Sequence, residues 1–407
     1  MKRFYAMILC LSLLFSQPLV KVGAEATSTN TSTDTSLSVP SPTLPPPLSD
    51  VYDWNNKDMR READIFTYQI LDESKKEAAI IRVNKAVKDL TVPSELDGYK
   101  IIGIGQMAMK GSNIIEFDID VKVSDLLEDT LETLTVSKGI QYIGYSAFSD
   151  CKKLTSVKLP SDLDHIADYA FTRCISLKKI YIPESSYKRD YCYGVDICEH
   201  AFSYCHIERL IFETQKFRSF YRSSIGDLVL PKSKCREYII EMNKTTINQL
   251  HVDPSVQSVY FYREDEYQDG QNGTIEKIVV NGKKTKLHKP DSGISFGTLY
   301  TVPKAKSISW AKKYKHTYKV KSCGKMGKVT RKKQKATWKP VKTTVKTYNY
   351  KKQKKKWKTK SRNVKTYYKV YGKNSKKKSY KLIKTTTKTS CKTKYKYLKV
   401  QPVATWK

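Results

Sequence analysis

The sequence predicts a solenoid of stacked repeats, with a parallel β-sheet on one face and short helical or irregular turns on the other. Residues 140–160 and 163–183 follow one pattern at an offset of 23 residues. The Ala-Phe pair at 147–148 returns at 170–171, and a cysteine follows three residues after each Phe. A fixed period in the twenties is typical of stacked units that are each too small to bury a core alone.

Four copies align on this pattern, beginning at Ile101, Ile140, Leu163 and Ile197. Each has Ala followed by Phe or Met, and then a segment of the type L-x-x-I-x-I, often closed by Pro. Apolar residues two apart share one face of a strand, so the residues between them point outward. Pro ends the strand because it has no N–H for the next ladder bond.

Composition and patterning divide the whole chain into five segments. An apolar run behind Lys2 and Arg3 predicts a cleaved signal peptide, because the alternative, a signal anchor, needs about 20 apolar residues. After cleavage no membrane span is expected. Two alternating segments about a polar turn predict a β-hairpin that caps the first repeat. The predicted segments are the signal peptide (1–26), a Ser/Thr/Pro-rich linker (27–50), the capping hairpin (51–89), the repeats (90–320; clear over 90–212, degenerate over 213–320) and a basic region (321–407).

The positive charge is concentrated at one end of the chain. Residues 301–407 contain 38 Lys and Arg and no Asp or Glu, whereas the whole chain has 75 basic and 40 acidic residues. The first 300 residues therefore hold 37 basic and 40 acidic residues. A near-neutral part, with the residue pattern of a folded core, therefore precedes a polycationic part. The protein is expected to be a monomer.

Three of the cysteines occupy one repeat position. Cys151, Cys174 and Cys205 each follow the Phe of an Ala-Phe pair by three residues. This regularity predicts buried free thiols inside the stack rather than the disulfide framework common in exported proteins. A disulfide between Cys192 and Cys198 stays open as an alternative. The sequence has no CxxC pair and no His cluster, so no metal site or cofactor is predicted.

The repeat residues carry a family resemblance. The segment 143–160, Ile-Gly-x-x-Ala-Phe-x-x-Cys-x-x-Leu-x-x-Val-x-Leu-Pro, resembles the leucine-rich repeat of the BspA-like bacterial surface proteins. Residues 90–100 resemble the first repeat of that family, and 299–307 with 310–314 resemble its closing segment. The resemblance implies an exported, often surface-held bacterial protein with a leucine-rich repeat fold. It also implies a binding scaffold rather than an enzyme, and some members act as adhesins.

The outward residues of the repeat strands form a predicted recognition face. Aromatic and Arg side chains are favoured at the centres of interfaces, although an ordinary solvated sheet face would show the same spacing. A Tyr-rich insert between the third and fourth copies is a second candidate, since insertions often form loops on a binding face. The predicted row is Glu116, Asp118, Thr133, Thr135, Ser156, Lys158, Lys179, Tyr181, Arg209 and Ile211; the candidate ligand-binding residues are Lys158, Lys179, Tyr181 and Arg209, with Tyr187, Tyr191 and Tyr193 in the insert.

No catalytic pattern accompanies the histidines. His165, His200 and His206 fall at different repeat positions, and no nucleophile-elbow, phosphate-binding or paired-carboxylate motif is present in the sequence. Surface or packing roles are therefore predicted for them. An enzyme is not predicted, and an unrecognised site in 213–298 is the alternative that remains.

The basic region has an order of its own, with a spacing of 19 residues. The tetrapeptide VKTY occurs at 345–348 and 364–367, and Trp338 and Trp357 show the same spacing. Val, Thr, Tyr and Trp favour strands, so β-hairpins with an aromatic face and Lys-lined turns are predicted; a disordered polycation is the alternative. The candidate polyanion-binding residues are Trp338, Tyr348, Tyr350, Trp357, Tyr367, Tyr371, Lys354, Lys355, Lys356, Lys376, Lys377 and Lys378.

The predominance of Lys over Arg suggests which class of partner the basic region binds. Residues 301–407 have 36 Lys and only 2 Arg, and Lys is a hydrated point charge suited to diffuse polyanions. Export favours an anionic cell-wall polymer over nucleic acid. The predicted function is an exported binding or adhesion protein that has a protein or glycan ligand on its solenoid face and is held at the cell envelope by its basic region. The alternative is a secreted factor that binds nucleic acid or glycosaminoglycan through that region.

Overall fold

The computed structural model describes residues 56–105, 123–183, 188–189, 192–193, 195–198, 200–213, 216–217, 220–233, 236–263 and 273–406. The predicted signal peptide and linker, the strand expected at 114–119, and Tyr187 and Tyr191 lie outside these ranges. So do the side chains of Cys192 and Tyr193, and with them the alternative disulfide.

Within these ranges the chain is built almost entirely of strands, with one α-helix, α1 (Lys306–Lys313). The N-terminal strands are β1 (Arg60–Ala63), β2 (Phe66–Asp72), β3 (Glu77–Val83), β4 (Asp89–Val92), β5 (Glu95–Leu96) and β6 (Tyr99–Ile104). The next are β7 (Thr133–Val136), β8 (Tyr142–Ile143), β9 (Ser156–Lys158), β10 (His165–Ile166), β11 (Lys179–Ile182), β12 (Lys188–Arg189), β13 (Cys192–Tyr193), β14 (Asp196–Ile197), β15 (His206–Phe212) and β16 (Lys216–Phe217). Then follow β17 (Ser224–Leu230), β18 (Glu237–Glu241), β19 (Thr246–Val252), β20 (Ser258–Tyr262), β21 (Thr274–Val280), β22 (Lys286–Leu287), β23 (Ser295–Thr301) and β24 (Thr317–Cys323). The last are β25 (Val329–Lys332), β26 (Lys335–Trp338), β27 (Thr343–Lys351), β28 (Lys356–Val364), β29 (Tyr368–Lys373), β30 (Lys381–Thr386), β31 (Ser390–Lys392) and β32 (Tyr397–Pro402).

One long sheet runs through all of the repeats, and we call its outward side the sheet face. Its order is β4-β7-β9-β11-β15-β17-β19-β21-β23-β24-β27-β28. The pairs from β4 to β24 are parallel, as expected of stacked repeats, and the last two pairs are antiparallel. In the described part of 213–320, strands β17, β19, β21, β23 and β24 continue the ladder in order.

The opposite side of each repeat carries shorter strands and turns. Strands β3, β6, β8, β10 and β14 pair in parallel, and the antiparallel hairpin of β2 and β3 stands at their N-terminal end. Further along, β16, β18, β20 and β22 form a second parallel sheet. Phe66, Tyr68 and Ile80 of the hairpin belong to the same buried cluster as the repeat residues, so the hairpin covers apolar surface at that end.

The core contains a column of stacked Phe rings. The rings of Phe148, Phe171, Phe202 and Phe220 follow one another at centroid distances of 5.6, 5.1 and 5.1 Å, nearly parallel. All four are buried. Each ring fills the space beneath its own turn and contacts the ring of the next repeat, so each repeat is stabilised by its neighbours.

The turns that carry the Ala-Phe pairs are irregular and repeat closely. Ser146, Tyr169 and His200, one residue before the Ala, have φ of 50°, 59° and 62°. A left-handed conformation costs free energy in non-glycine residues, and hydrogen bonds between repeats offset that cost. The backbone N–H of Phe148 donates to the carbonyl of Ala170 at 2.8 Å, and that of Phe171 to Ala201 at 2.8 Å.

The basic region is folded onto the last repeat. Strand β24 runs through residues 320 and 321, where composition separates repeats from basic region, and pairs with the hairpin of β27 and β28. The two VKTY copies are not equivalent, because 345–348 lies inside β27 and 364–367 begins at the end of β28. The remaining strands of the basic region pack around a small second core. This core is formed by Ala336, Trp338, Tyr368, Val370, Cys391 and Val400.

Candidate functional site

The sheet face carries two rows of outward side chains in strict register. In the first row Ser156 lies beside Lys179, and Lys179 beside Arg209. In the second row Lys158 lies beside Tyr181, and Tyr181 beside Ile211. The structure therefore brings together Lys158, Lys179, Tyr181 and Arg209, the four candidates predicted on this face. Tyr181 is 40% exposed, and its hydroxyl donates to a carboxylate oxygen of Glu213 at 2.6 Å.

The beginning of the two rows differs from the prediction. The neighbours of β7 are β4 and β9, so Asp89 and Thr91 stand beside Thr133 and Thr135. The positions expected for Glu116 and Asp118 are thus taken by residues near the start of the repeats. The reason is that the strand beside β7 comes from residues 89–92, ahead of the first repeat copy, and repeat spacing alone does not show which segment supplies that strand.

The rows also extend beyond Arg209 and Ile211, the last positions of the predicted row. Arg209 continues into Asp227, Gln249, Lys277 and Thr298 through successive register pairs. The second row continues through Val229, His251, Val279, Tyr300 and Lys319. The signal for these strands is the pattern of Ile or Phe, then an apolar residue three later, as in 225–230, 247–252 and 275–280. Variable loops between the strands obscured it.

A polar network crosses the middle of the sheet face. A guanidinium nitrogen of Arg209 lies 3.4 Å from a carboxylate oxygen of Asp227, and the ring of His251 lies 3.8 Å from the same carboxylate. Gln249 hydrogen-bonds both His251 and Lys277. Burial lowers the pKa of His251, while Asp227 opposes this shift. The network alternates charge and amide, which suits a polar ligand better than an apolar one.

At the far end of the rows the face becomes cationic around Tyr300. The ammonium groups of Lys277 and Lys319 each lie 4.8 Å from the centre of the Tyr300 ring. The Lys319 ammonium also donates to the Tyr300 hydroxyl at 3.0 Å. The ring of Trp406 stands edge-on to Tyr300 at a centroid distance of 4.8 Å.

Trp406 reaches this place through a C-terminal strap, residues 403–406. The backbone N–H of Trp406 donates to the side-chain oxygen of Asn281 at 2.8 Å, and the Asn281 amide donates back to the Trp406 carbonyl at 3.0 Å. The indole N–H of Trp406 donates to the Thr301 carbonyl at 2.7 Å. The strap therefore ties the end of the basic region to the repeats.

The aromatic candidates of the basic region divide into packed and exposed residues. Trp338 is only 5% exposed and packs against Tyr368 in the second core, so its indole is not placed to meet a polymer. Tyr348 stacks on Tyr318 at 4.5 Å, and Trp357 stands edge-on to the same ring at 5.3 Å. These rings cover the end of the repeat core. Trp338 is buried and Tyr348 and Trp357 are partly buried, so regular aromatic spacing does not distinguish packed rings from exposed ones.

Other candidates of that region are on the surface. Tyr350 is partly exposed, with its ring 5.3 Å from both the Trp357 ring and the Lys315 ammonium. Tyr367 is exposed and Tyr371 partly so. The six candidate lysines are exposed. Lys354 and Lys355 lie between β27 and β28, Lys356 begins β28, and Lys376, Lys377 and Lys378 lie between β29 and β30.

Of the three histidines predicted to have packing or surface roles, His165 and His200 pack against neighbouring side chains and His206 is exposed. The ring of His200 stacks on Tyr169 at 5.3 Å, and His165 is buried with its ring nitrogen 3.6 Å from the Cys198 sulfur. Across the described ranges, no three His, Cys, Asp or Glu side chains come together as a group that could hold a metal ion. In the same ranges no helix is long and apolar enough to cross a membrane.

Part of the repeat region matches a known protein family. The family model of the BspA type leucine rich repeat region matches residues 126–233 in 6 copies. Three similar solved structures are a leucine-rich repeat protein from Bacteroides capillosus (23% identity, 33% of this chain and 88% of that chain, TM-score 0.25), the T. pallidum leucine rich repeat protein (17%, 58% and 86%, TM-score 0.33) and the pneumococcal vaccine antigen PcpA (12%, 60% and 81%, TM-score 0.26). No curated protein gives a significant match.

The family model covers strands β7, β9, β11, β15 and β17 of the sheet face and the four stacked Phe rings. It also covers the three-residue step from Phe to Cys at 151, 174 and 205. Residues 126–233 thus match the BspA type leucine rich repeat region.

Proposed function

We propose that this chain is an exported, non-catalytic binding protein of the cell surface, retained by contacts between its basic region and anionic polymers of the envelope. The observation that carries the proposal is the charge of residues 301–407, which have 38 basic and no acidic side chains. The repeats provide a rigid face for a protein or glycan ligand, as their family resemblance suggests, and an adhesin role follows from that face.

The position of the lysines supports a diffuse polymer as the partner. Lys354 to Lys356 and Lys376 to Lys378 are exposed at or beside two separate hairpin turns. Exposed ammonium groups attract any closely spaced anions, and salt screens that attraction over a Debye length of about 8 Å at physiological ionic strength. Retention at the envelope is therefore expected to be reversible by salt.

The test is release of the full-length protein from cell envelopes by increasing salt. A variant with Lys354, Lys355, Lys356, Lys376, Lys377 and Lys378 all changed to Gln should be released at lower salt than the wild type. The matched control changes six exposed lysines of the other segments to Gln, namely Lys85, Lys152, Lys153, Lys232, Lys283 and Lys284. Equal release of both variants, or retention of the wild type in 1 M salt, contradicts the proposal. Tighter binding to DNA or heparin than to envelopes would favour the nucleic-acid or glycosaminoglycan alternative.

A further inference from the structure

The repeats and the basic region share one continuous face. Lys319 of β24 lies beside Thr347 of β27, which lies beside Lys360 of β28. Side chains that are directly opposite in an antiparallel pair point to the same side. The second row of the sheet face therefore runs without interruption from the repeats onto the basic hairpin. Lys358 and Arg362, two residues either side of Lys360, point to the same side.

The cluster around Tyr300 stands where these two parts meet, and we call it the junction cluster: Lys277, Tyr300, Lys319, Lys321 and Trp406. Two of its ammonium groups lie 4.8 Å from one ring centre, so they are less than about 10 Å apart, which is the Debye length at 0.1 M salt. The Lys321 ammonium lies 5.7 Å from the Trp406 ring and donates to the Thr405 carbonyl at 3.0 Å. An anion placed here would feel all three charges together.

Lys277 and Lys319 are held by neutral partners. Lys277 donates to the amide oxygen of Gln249, and Lys319 donates to the Tyr300 hydroxyl. Among the described residues neither ammonium has a carboxylate within ion-pair distance; Asp227, the acidic residue further along the rows, pairs with Arg209 instead. Both lysines are half-buried. Cations that lose part of their hydration without a counter-charge are costly, and a bound anion offsets that cost.

We infer that the junction cluster is an anion-binding site for a linear anionic polymer of the cell envelope, and that the polymer continues across Lys358, Lys360 and Arg362. This inference rests on the proposed function, because it names the part of the molecule that would bind the polymer. The repeats then contribute directly to polymer binding through Lys277, and the strap contributes an aromatic wall through Trp406. Binding is strongest where repeats, hairpin and strap meet, rather than spread evenly over the lysine turns.

The experiment compares two variants of the full chain with equal loss of charge. Lys277→Gln with Lys319→Gln removes two charges from the junction cluster, and Lys283→Gln with Lys284→Gln removes two from an exposed turn between the two sheets of the same repeat. The probes are a glycerol-phosphate polymer and a uronic acid polymer, titrated separately at 0.15 M salt. We expect the junction variant to bind about 5-fold more weakly or worse, and the control variant to stay within about twofold of the wild type.

Each outcome separates the inference from the function on which it rests. If the wild type binds a polymer and both variants weaken equally, net charge alone decides affinity and the inference is wrong while the proposed function stands. If the wild type binds neither polymer, both fail. If duplex DNA binds more tightly than both polymers, the assigned ligand class is wrong.

A second measurement needs no variant and guards against misfolding. Acetylation of lysines in the wild type is followed by mass spectrometry with and without the polymer that binds. Lys277 and Lys319 should become at least about 5-fold less reactive when the polymer is present, while Lys283 and Lys284 keep their reactivity. Equal protection of the two pairs would overturn the site.

Discussion

The thiol of Cys205 donates a hydrogen bond to the backbone carbonyl of Phe171 in the preceding repeat, at a sulfur–oxygen distance of 3.1 Å. Cys174 makes the same contact with the Phe148 carbonyl at 3.3 Å. In the next repeat the donor is a hydroxyl, because Ser223 donates to the Phe202 carbonyl at 2.7 Å. The position therefore requires a small side chain with a donor, and cysteine is one of the residues that satisfies it.

Cys205→Ser should accordingly be nearly neutral, whereas Cys205→Ala should destabilise the fold by about 1 kcal/mol, because the buried Phe171 carbonyl loses one of its two donors and keeps only the N–H of Cys174. The measurement is the free energy of unfolding from urea titration. Burial also raises the pKa of Cys205 to about 12, so the thiol stays protonated as a donor across the working range. Equal stability of the Ser and Ala variants would show that the hydrogen bond contributes nothing.

Phe171 occupies the middle of the ring column, between Phe148 and Phe202. Phe171→Ala should cost about 3–5 kcal/mol, because it leaves a cavity that two neighbouring repeats enclose. The matched control is Tyr181→Ala on the outward side of the same repeat, which should cost less than about 1 kcal/mol. Thermal unfolding of both variants distinguishes the two positions. A similar cost for both would mean that the column is loosely packed.

His316 gives the protein a predicted sensitivity to acid. Its ring stacks on Trp310 at 4.8 Å and contacts Phe296 at 5.4 Å, and burial lowers its pKa. The unfolded chain takes up a proton near pH 6.5, whereas the native ring takes it up only at lower pH, so stability falls as the pH drops below about 6.5.

His316→Gln removes this proton uptake and should therefore lose less stability between pH 7.5 and pH 5.5 than the wild type. Urea unfolding at the two pH values measures the difference. Some acid sensitivity should remain in the variant, because burial also lowers the pKa of His251 and His288. An unchanged pH dependence would remove His316 as its source.

The Trp406 side chain is expected to stabilise the docking of the strap on the repeats. Trp406→Ala removes the hydrogen bond to the Thr301 carbonyl and the ring contact with Tyr300. Together these contribute on the order of 1.4 kcal/mol, so amide hydrogen exchange in strand β32 should accelerate about tenfold. Tyr380→Ala, at an exposed ring of the same region, should leave that exchange unchanged. No acceleration in the Trp406 variant would show that the backbone contacts of the strap, with Asn281, Lys321 and Tyr367, hold it in place.

Much of the architecture was predictable because it depends on local periodicity. The step from Phe to Cys and the alternation at 154–159 and 177–182 predict stacked strands and the buried cysteines, and the structure shows both. Four outward residues were also predictable, since alternation in a strand decides which side chains face out. The strands after residue 213 were harder, because their loops vary while the strand pattern persists.

By itself, the sequence determined the repeat unit, the outward positions of its clear copies and the separation of a near-neutral part from a polycation, because each is a property of neighbouring residues. Only the tertiary structure decided that Trp338, Tyr348 and Trp357 pack against cores, since burial depends on what lies above a strand. It also decided that Lys277, Tyr300, Lys319 and Trp406 meet. Their separation in the chain reaches more than a hundred residues, and only sheet register and the docked strap bring them to one place.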